Sequence, residues 1–211
     1  MPEYFTYGET EIEYLKGKDK KLKAVIEKVG MIKRSVNPDL FSSIIKIIIG
    51  QQISTKAQET IWARLKEKIG EVNAQQIDQL SEEELQSIGI SFRKAGYIKN
   101  FTSQVLTNTF DIVALKTQTD EEVINALSSL KGIGVWTAEM LMIFSMQRKD
   151  IVSFGDLAII RGIRMIYRHK EVSKERFKKY QKRYSPYGSV ASLYLWAVAG
   201  GAIEGLEDPL T

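Results

Sequence analysis

Residues 39–185 contain no proline; the four prolines of the chain stand at positions 2, 38, 186 and 209. Proline punctuates loops and strand edges, so a span of this length without it favours continuous helix over many-turned β structure. Apolar residues recur at i, i+3, i+4 spacing, and strict alternation is scarce. Thr55 with Gln58, Ser81 with Glu84 and Thr119 with Glu122 have the spacing of capping boxes. Gly30, Gly70 and Gly89 stand where helical patterns stop. The pattern predicts about ten helices. They fall near 11–15, 20–29, 39–49, 55–69, 74–79, 82–88, 92–107, 120–128, 135–146, 157–168, 174–184 and 189–203, with short ones free to merge. Asp111–Leu115 reads as a short extended link. No internal repeat or low-complexity segment is visible, and the fold class is all-α.

With 211 residues the chain makes one domain or two small ones. It has no cysteine, which excludes a disulfide scaffold, a thiolate zinc site and an ordinary iron–sulfur cluster. Its one histidine, His169, excludes multi-histidine metal chemistry. The first residues carry no basic-then-apolar signal segment. The longest uncharged stretch, Tyr184 to Ile203, contains Pro186 and three glycines and reads as a buried helix, not a membrane span. The expectation is an intracellular protein with no membrane partner, cytoplasmic if prokaryotic.

Charge is unevenly spread. The whole chain is +4, but the segment Arg161–Arg183 holds ten Lys/Arg against Glu171 and Glu175, a local net of +8. A second basic run, Lys16 to Lys28, has six lysines against Asp19 and Glu27. These are solvated helix faces or the footprint of a polyanionic partner such as nucleic acid.

The stretch from Ile124 to Asp156 is the most informative. An amphipathic helix ends at Leu130-Lys131, Gly132-Ile133-Gly134 follows, and a second helix opens at Val135-Trp136-Thr137-Ala138. Two glycines spaced i, i+2 let backbone turn tightly and approach another molecule. The helix start beyond them offers unpaired N–H groups and a positive dipole end, a cradle for phosphate that reads no sequence. An ordinary αα-hairpin with a glycine cap would share the pattern.

LKGIGVWTAEML, with Asp156 lying 22 residues beyond Gly134, resembles the helix-hairpin-helix–Gly/Pro–Asp superfamily of DNA glycosylases. IIGQQIS at 48–54, GISFRKAGYI at 89–98 and SPYGSVASLYLW around Pro186–Trp196 resemble one branch, DNA-3-methyladenine glycosylase II, in a compact form without an additional N-terminal β domain. Lys131 stands where the family often has proline, Gly155 where an acidic residue is common, and Tyr187-Gly188 where Trp-Arg is frequent. The resemblance implies two helical lobes with a DNA-binding cleft, one of residues 45–150 and one combining 1–44 with 151–211. It makes Asp156 the catalytic carboxylate, although Asp is also a preferred N-cap. It places Gln52 at the position that fills the gap left by an extruded nucleotide, with Gln51 beside it and a helix-capping role as the plain alternative. Lys131, Gly132, Gly134, Thr137, Arg93 and Lys94 become DNA contacts, although Arg93 and Lys94 suit a surface face equally well.

Bifunctional relatives carry a Schiff-base lysine two residues after the second hairpin glycine, where this chain has Trp136. Trp136 and Trp196 become candidates to stack on the base, with Met140 as a polarizable wall; plain core packing is the alternative for each tryptophan. The carbonyls of Ser128, Leu130 and Ile133 match those that hold a monovalent cation, Na or K, in family members; no cofactor is otherwise implied. The expected activity is monofunctional hydrolysis of the N-glycosidic bond of alkylated purines in double-stranded DNA, by a monomer. The rivals are a non-catalytic DNA-binding module and a bifunctional oxidised-base glycosylase/lyase.

Overall fold

A computed structural model of the chain describes residues 3–210. The elements run β1 (Glu3–Tyr4), α1 (Glu9–Lys18), α2 (Lys20–Val29), β2 (Ser35–Val36), α3 (Leu40–Gly50), α4 (Thr55–Ile69) and α5 (Ala74–Asp78). They continue with α6 (Glu82–Ser87), α7 (Phe92–Leu106), a 3-10 turn (Ala114–Lys116), α8 (Asp120–Ser128) and α9 (Val135–Phe144). The last three are α10 (Leu157–Tyr167), α11 (Lys174–Tyr184) and α12 (Gly188–Ala199). The fold is all-α, and no helix among the described residues is long and apolar enough to cross a membrane.

The chain divides into two compact units. One holds the residues up to Val36 and those from Met142 onward; the other is Asn37–Leu141. The boundaries fall at 36/37, which puts α3 wholly in the second unit, and at 141/142, inside α9. α3 is buried nearly all round, with Leu40, Phe41, Ile44, Ile45, Ile48 and Ile49 inside. It forms the axis on which α4 and α7 pack. Phe41 stacks on Phe101 of α7 at 5.1 Å between ring centroids.

In the other unit α10 and α12 form the main packed pair. Gly162 makes their close crossing possible: a Cβ there would lie 2.4 Å from the Leu195 carbonyl oxygen. A buried polar knot joins α2, α10 and α11. Asp19, at the start of α2, accepts from Lys21 and Leu22 N–H, from Tyr167 OH at 2.8 Å and from Arg183 at 2.6 Å. Burial alone would raise the Asp19 pKa, but the Leu22 N–H, Arg183 and Tyr167 hydrogen bonds outweigh it and hold the carboxyl below its ordinary range.

Several local expectations need correction. α4 is capped by Ser54, whose hydroxyl accepts Ala57 N–H, so Thr55 and Gln58 form no capping box. The boxes at Ser81/Glu84 and Thr119/Glu122 are present. Asp111–Leu115 is not extended, because Asp111 Oδ1 accepts from Val113 and Ala114 N–H and bends the chain into the 3-10 turn. The ribbon pairing Glu3 with Val36 and Tyr4 with Ser35 has no counterpart in the sequence pattern, since two-residue strands are too short to show alternation.

Candidate functional site

The hairpin lies in the second unit. α8 ends at Ser128, and two turn hydrogen bonds carry the chain onward: Leu130 N–H to Leu127 O and Ile133 N–H to Leu130 O. Leu130 and Ile133 are buried and pin the loop from inside, while Lys131, Gly132 and Gly134 are exposed. Gly132 has φ +87°, a region glycine occupies without strain, and a Cβ there would lie 2.6 Å from the Tyr97 ring. Gly134 faces open space. The first intrahelical bond of α9 runs from Ala138 N–H to Gly134 O. The first turn of α9, Val135 to Thr137, is the positive end of its helix.

Trp136 is 48% exposed, which removes plain core packing as its reading. Met140 lies one turn further along α9 and is only 8% exposed. The turn between α3 and α4 belongs to the same unit. Gln52 stands at its exposed tip with φ +57°, and Gln51 Nε2 donates to the Gly132 carbonyl at 2.6 Å. Gln51 is the C-cap residue of α3, its N–H reaching the Ile48 carbonyl, whereas Gln52 caps neither helix, because Ser54 opens α4. Arg93 is exposed in the first turn of α7. Lys94 does not stand free for phosphate: its ammonium donates to the Ile49 carbonyl at the end of α3, at 2.8 Å. Burial, with help from the neighbouring Arg93 charge, lowers its pKa.

Asp156 lies in the other unit. It is the N-cap of α10, with Oδ1 accepting Ala158 N–H at 2.9 Å and Ile159 N–H at 3.0 Å. Its capping role is therefore real. It is also 7% exposed, so its carboxylate is held in a sheltered place at a helix N-terminus.

The segment that delivers it, 148–153, is stitched to α12 and its approach. Asp150 accepts from Gly188 N–H and the Ser185 hydroxyl, and Ser189 and Ser192 hydroxyls donate to the Arg148 and Ile151 carbonyls. Gln181 Nε2 donates to Val152 O. None of these residues was singled out from sequence. The available signal was two serines, 189 and 192, in an otherwise apolar stretch; both are fully buried. Trp196, on the same helix, is half-buried and packs at 5.5 Å on Phe144, which carries Arg34 on its ring at 5.1 Å.

The +8 segment is less free than its composition implies. Arg164 forms a two-pronged pair with Asp208, Arg161 lies 3.7 Å from the same carboxylate, and Arg183 is held by Asp19. Lys170, Lys174, Lys178, Lys179 and Lys182 remain on the surface. A cavity of about 450 Å³ between α2, Ile166–Arg168 and residues 203–206 sits at the far end of α10 from Asp156, and no candidate residue lines it. No group of three His, Asp or Glu side chains placed to hold a metal occurs among the described residues.

A DNA-3-methyladenine glycosidase from Bacillus halodurans has the same fold, with a TM-score of 0.87 over 99% of both chains and 34% identity. A 3-methyladenine DNA glycosylase of Schizosaccharomyces pombe, solved in complex with abasic DNA, matches with a TM-score of 0.76 and 27% identity over 92% of this chain and 98% of that one. The DNA-3-methyladenine glycosylase of Saccharomyces cerevisiae is 30% identical over 198 residues, spanning 76% of this chain and 67% of that protein. Residues 45–186, which include the Gln51-Gln52 turn, the hairpin and Asp156, match the family model of the HhH-GPD superfamily base excision DNA repair proteins. The chain belongs to that superfamily.

Proposed function

We propose that this protein is a DNA glycosylase that hydrolyses the N-glycosidic bond of alkylated purines in duplex DNA, in the manner of DNA-3-methyladenine glycosylase II. The observation that carries this reading is Asp156, a sheltered carboxylate fixed by two backbone N–H groups at a helix start in a chain of this superfamily. The second unit supplies the grip. The exposed backbone of Gly132–Gly134, the start of α9 and Lys131 hold phosphates without reading sequence, with Thr137 and Arg93 as flanking contacts. Gln52 fills the gap when the damaged nucleotide leaves the stack.

The chemistry needs one carboxylate and no acid. A purine methylated at a ring nitrogen carries positive charge, so it departs with the bonding electron pair as a neutral base. Positive charge then develops on the sugar, where Asp156 stabilises it electrostatically. Water adds to the anomeric carbon, and its proton passes to the carboxylate. Trp136 offers an indole face to the cationic base, with Met140 one turn along the same helix as a polarizable neighbour. Trp136 cannot form a Schiff base, so the enzyme is monofunctional.

A monovalent cation suits the all-oxygen donor set of the Ser128, Leu130 and Ile133 carbonyls. Leu130 O keeps one lone pair after accepting Ile133 N–H at 3.0 Å. Such an ion would order the hairpin and add positive charge beside a phosphate; no step of the reaction depends on it. The protein acts as a monomer, in the cytoplasm if prokaryotic.

A panel of duplexes carrying alkylated, deaminated or oxidised bases tests the reading. Alkali should cleave the alkylated-purine strand after incubation, and borohydride should trap no covalent adduct. Cleavage confined to oxidised bases, with a trapped adduct lost in Lys131→Ala, would replace it with the bifunctional alternative. Binding to every duplex with no base release would favour a non-catalytic module.

A further inference from the structure

Gln51 and Gln52 are chemically identical neighbours that the backbone sends to different tasks. Gln52 sits at φ +57° on the exposed tip of the turn. Gln51, at φ −59° and ψ 130°, extends to the hairpin 81 residues away, and its Nε2 donates to the Gly132 carbonyl at 2.6 Å. We propose that Gln51 is a positioning residue that couples the gap-filling turn to the DNA-gripping hairpin. This rests on the reading of Gln52 as the gap filler.

The rest of the turn is built for such a link. Lys94 holds the Ile49 carbonyl at 2.8 Å and Gln58 Nε2 holds the Lys46 carbonyl at 2.7 Å, so the last turn of α3 is tied to α7 and α4. Gly50 leaves room for the Gln58 amide, which a Cβ would meet at 2.2 Å. Ser54 fixes the start of α4. These ties anchor the base of the turn but not its tip. Gln51 is the hydrogen bond that carries the tip to the hairpin. On the hairpin side, the receiving residue is itself fixed, because Gly132 lies against the Tyr97 ring.

The consequence for extrusion is mechanical. The hairpin sets where the duplex backbone lies, and a side chain inserted into the stack works only at a fixed displacement from that backbone. A direct hydrogen bond between the inserting turn and the gripping loop makes that displacement a property of the protein. Without it, Gln52 samples positions that miss the gap, and the extruded state is less populated.

Gln51→Met tests this, since it keeps side-chain length and removes the donor. The bond is exposed, so the melting temperature should stay unchanged, and the salt dependence of binding to undamaged duplex should also hold. Single-turnover release of a paired lesion should fall about fivefold, the factor for a hydrogen bond of ordinary net strength, and release of a mispaired lesion should fall less. In a Gln52→Ala background, Gln51→Met should add little further loss, because both act through one step. Release at the unmutated rate, or losses that multiply in full in the double variant, would overturn the coupling.

The fluorescence of 2-aminopurine at the lesion position reads extrusion without excision. Should the unmutated protein release no alkylated base, the substrate reading fails, and a lower fluorescence rise in Gln51→Met would still support the coupling. No rise with either protein would overturn it.

Discussion

Asp156 is both a helix cap and the proposed catalytic carboxylate, and two substitutions separate those roles. Asparagine keeps an Oδ1 that can accept Ala158 and Ile159 N–H, now at 2.9 and 3.0 Å, but it has no charge. Asn and Asp cap with nearly equal strength, so Asp156→Asn should cost only the charge–dipole share, about 0.3–1 kcal/mol. Alanine removes the acceptor as well and should cost about 0.5–2 kcal/mol of capping on top of it. For a chain of this size about 1 kcal/mol shifts the melting temperature by roughly 2–4 °C, so thermal melts should resolve the two variants. Catalysis should not resolve them. Both lack the carboxylate, and both should lose at least about 10²-fold in single-turnover base release, equivalent to about 2.7 kcal/mol of barrier. DNA binding should persist in Asp156→Asn. Asparagine releasing base at nearly the unmutated rate, with only alanine impaired, would show that Asp156 is a cap alone and would refute the assignment.

Other predictions follow from the packing and the charge pairing. Gly162→Ala places a Cβ 2.4 Å from the Leu195 carbonyl, so α10 and α12 must separate; denaturant melts should show a loss of about 1–3 kcal/mol, and an unchanged midpoint would contradict the close crossing. Lys131→Ala should make the log–log salt slope of binding to undamaged duplex shallower by about 0.9, whereas Arg164→Ala, whose charge is paired with Asp208, should leave the slope unchanged and lower stability. Asp19 and Asp208 titrate below the ordinary 3.8 in the folded chain, so unfolded chains bind protons first as pH falls. Their stabilisation is complete above about pH 5 and is lost as acid titrates the folded carboxyls. Melts taken from about pH 5 to about pH 3 should fall less steeply for Asp208→Asn than for the unmutated chain.

The features legible in the sequence were those with local causes. The helices 20–29, 55–69, 120–128 and 174–184 match their observed bounds, because caps, glycine stops and apolar spacing all act within a few residues. Asp156 and the hairpin glycines could be named because their spacing along the chain is itself the motif. What escaped depends on partners far apart in sequence. Lys94 looked like a phosphate ligand until α3 brought the Ile49 carbonyl to it. The arginines of the +8 segment looked available until Asp19 and Asp208 met them from the two ends of the chain. Gln51 confused the register of Gln52 because nothing local distinguishes two adjacent glutamines; a positive φ at one and a bond to Gly132 at the other do. Ser189 and Ser192 were hidden inside an apolar stretch whose hydrophobicity spoke only of burial, although their hydroxyls fix the segment leading to Asp156.

The most direct test of the central claim is the chemical identity of what the protein releases from a methylated duplex. The purified chain should liberate the alkylated purine as a free base, detected by mass spectrometry, in step with abasic sites in an otherwise unbroken strand. Release of an oxidised base with concurrent strand cleavage, or no free base at saturating protein, would contradict it.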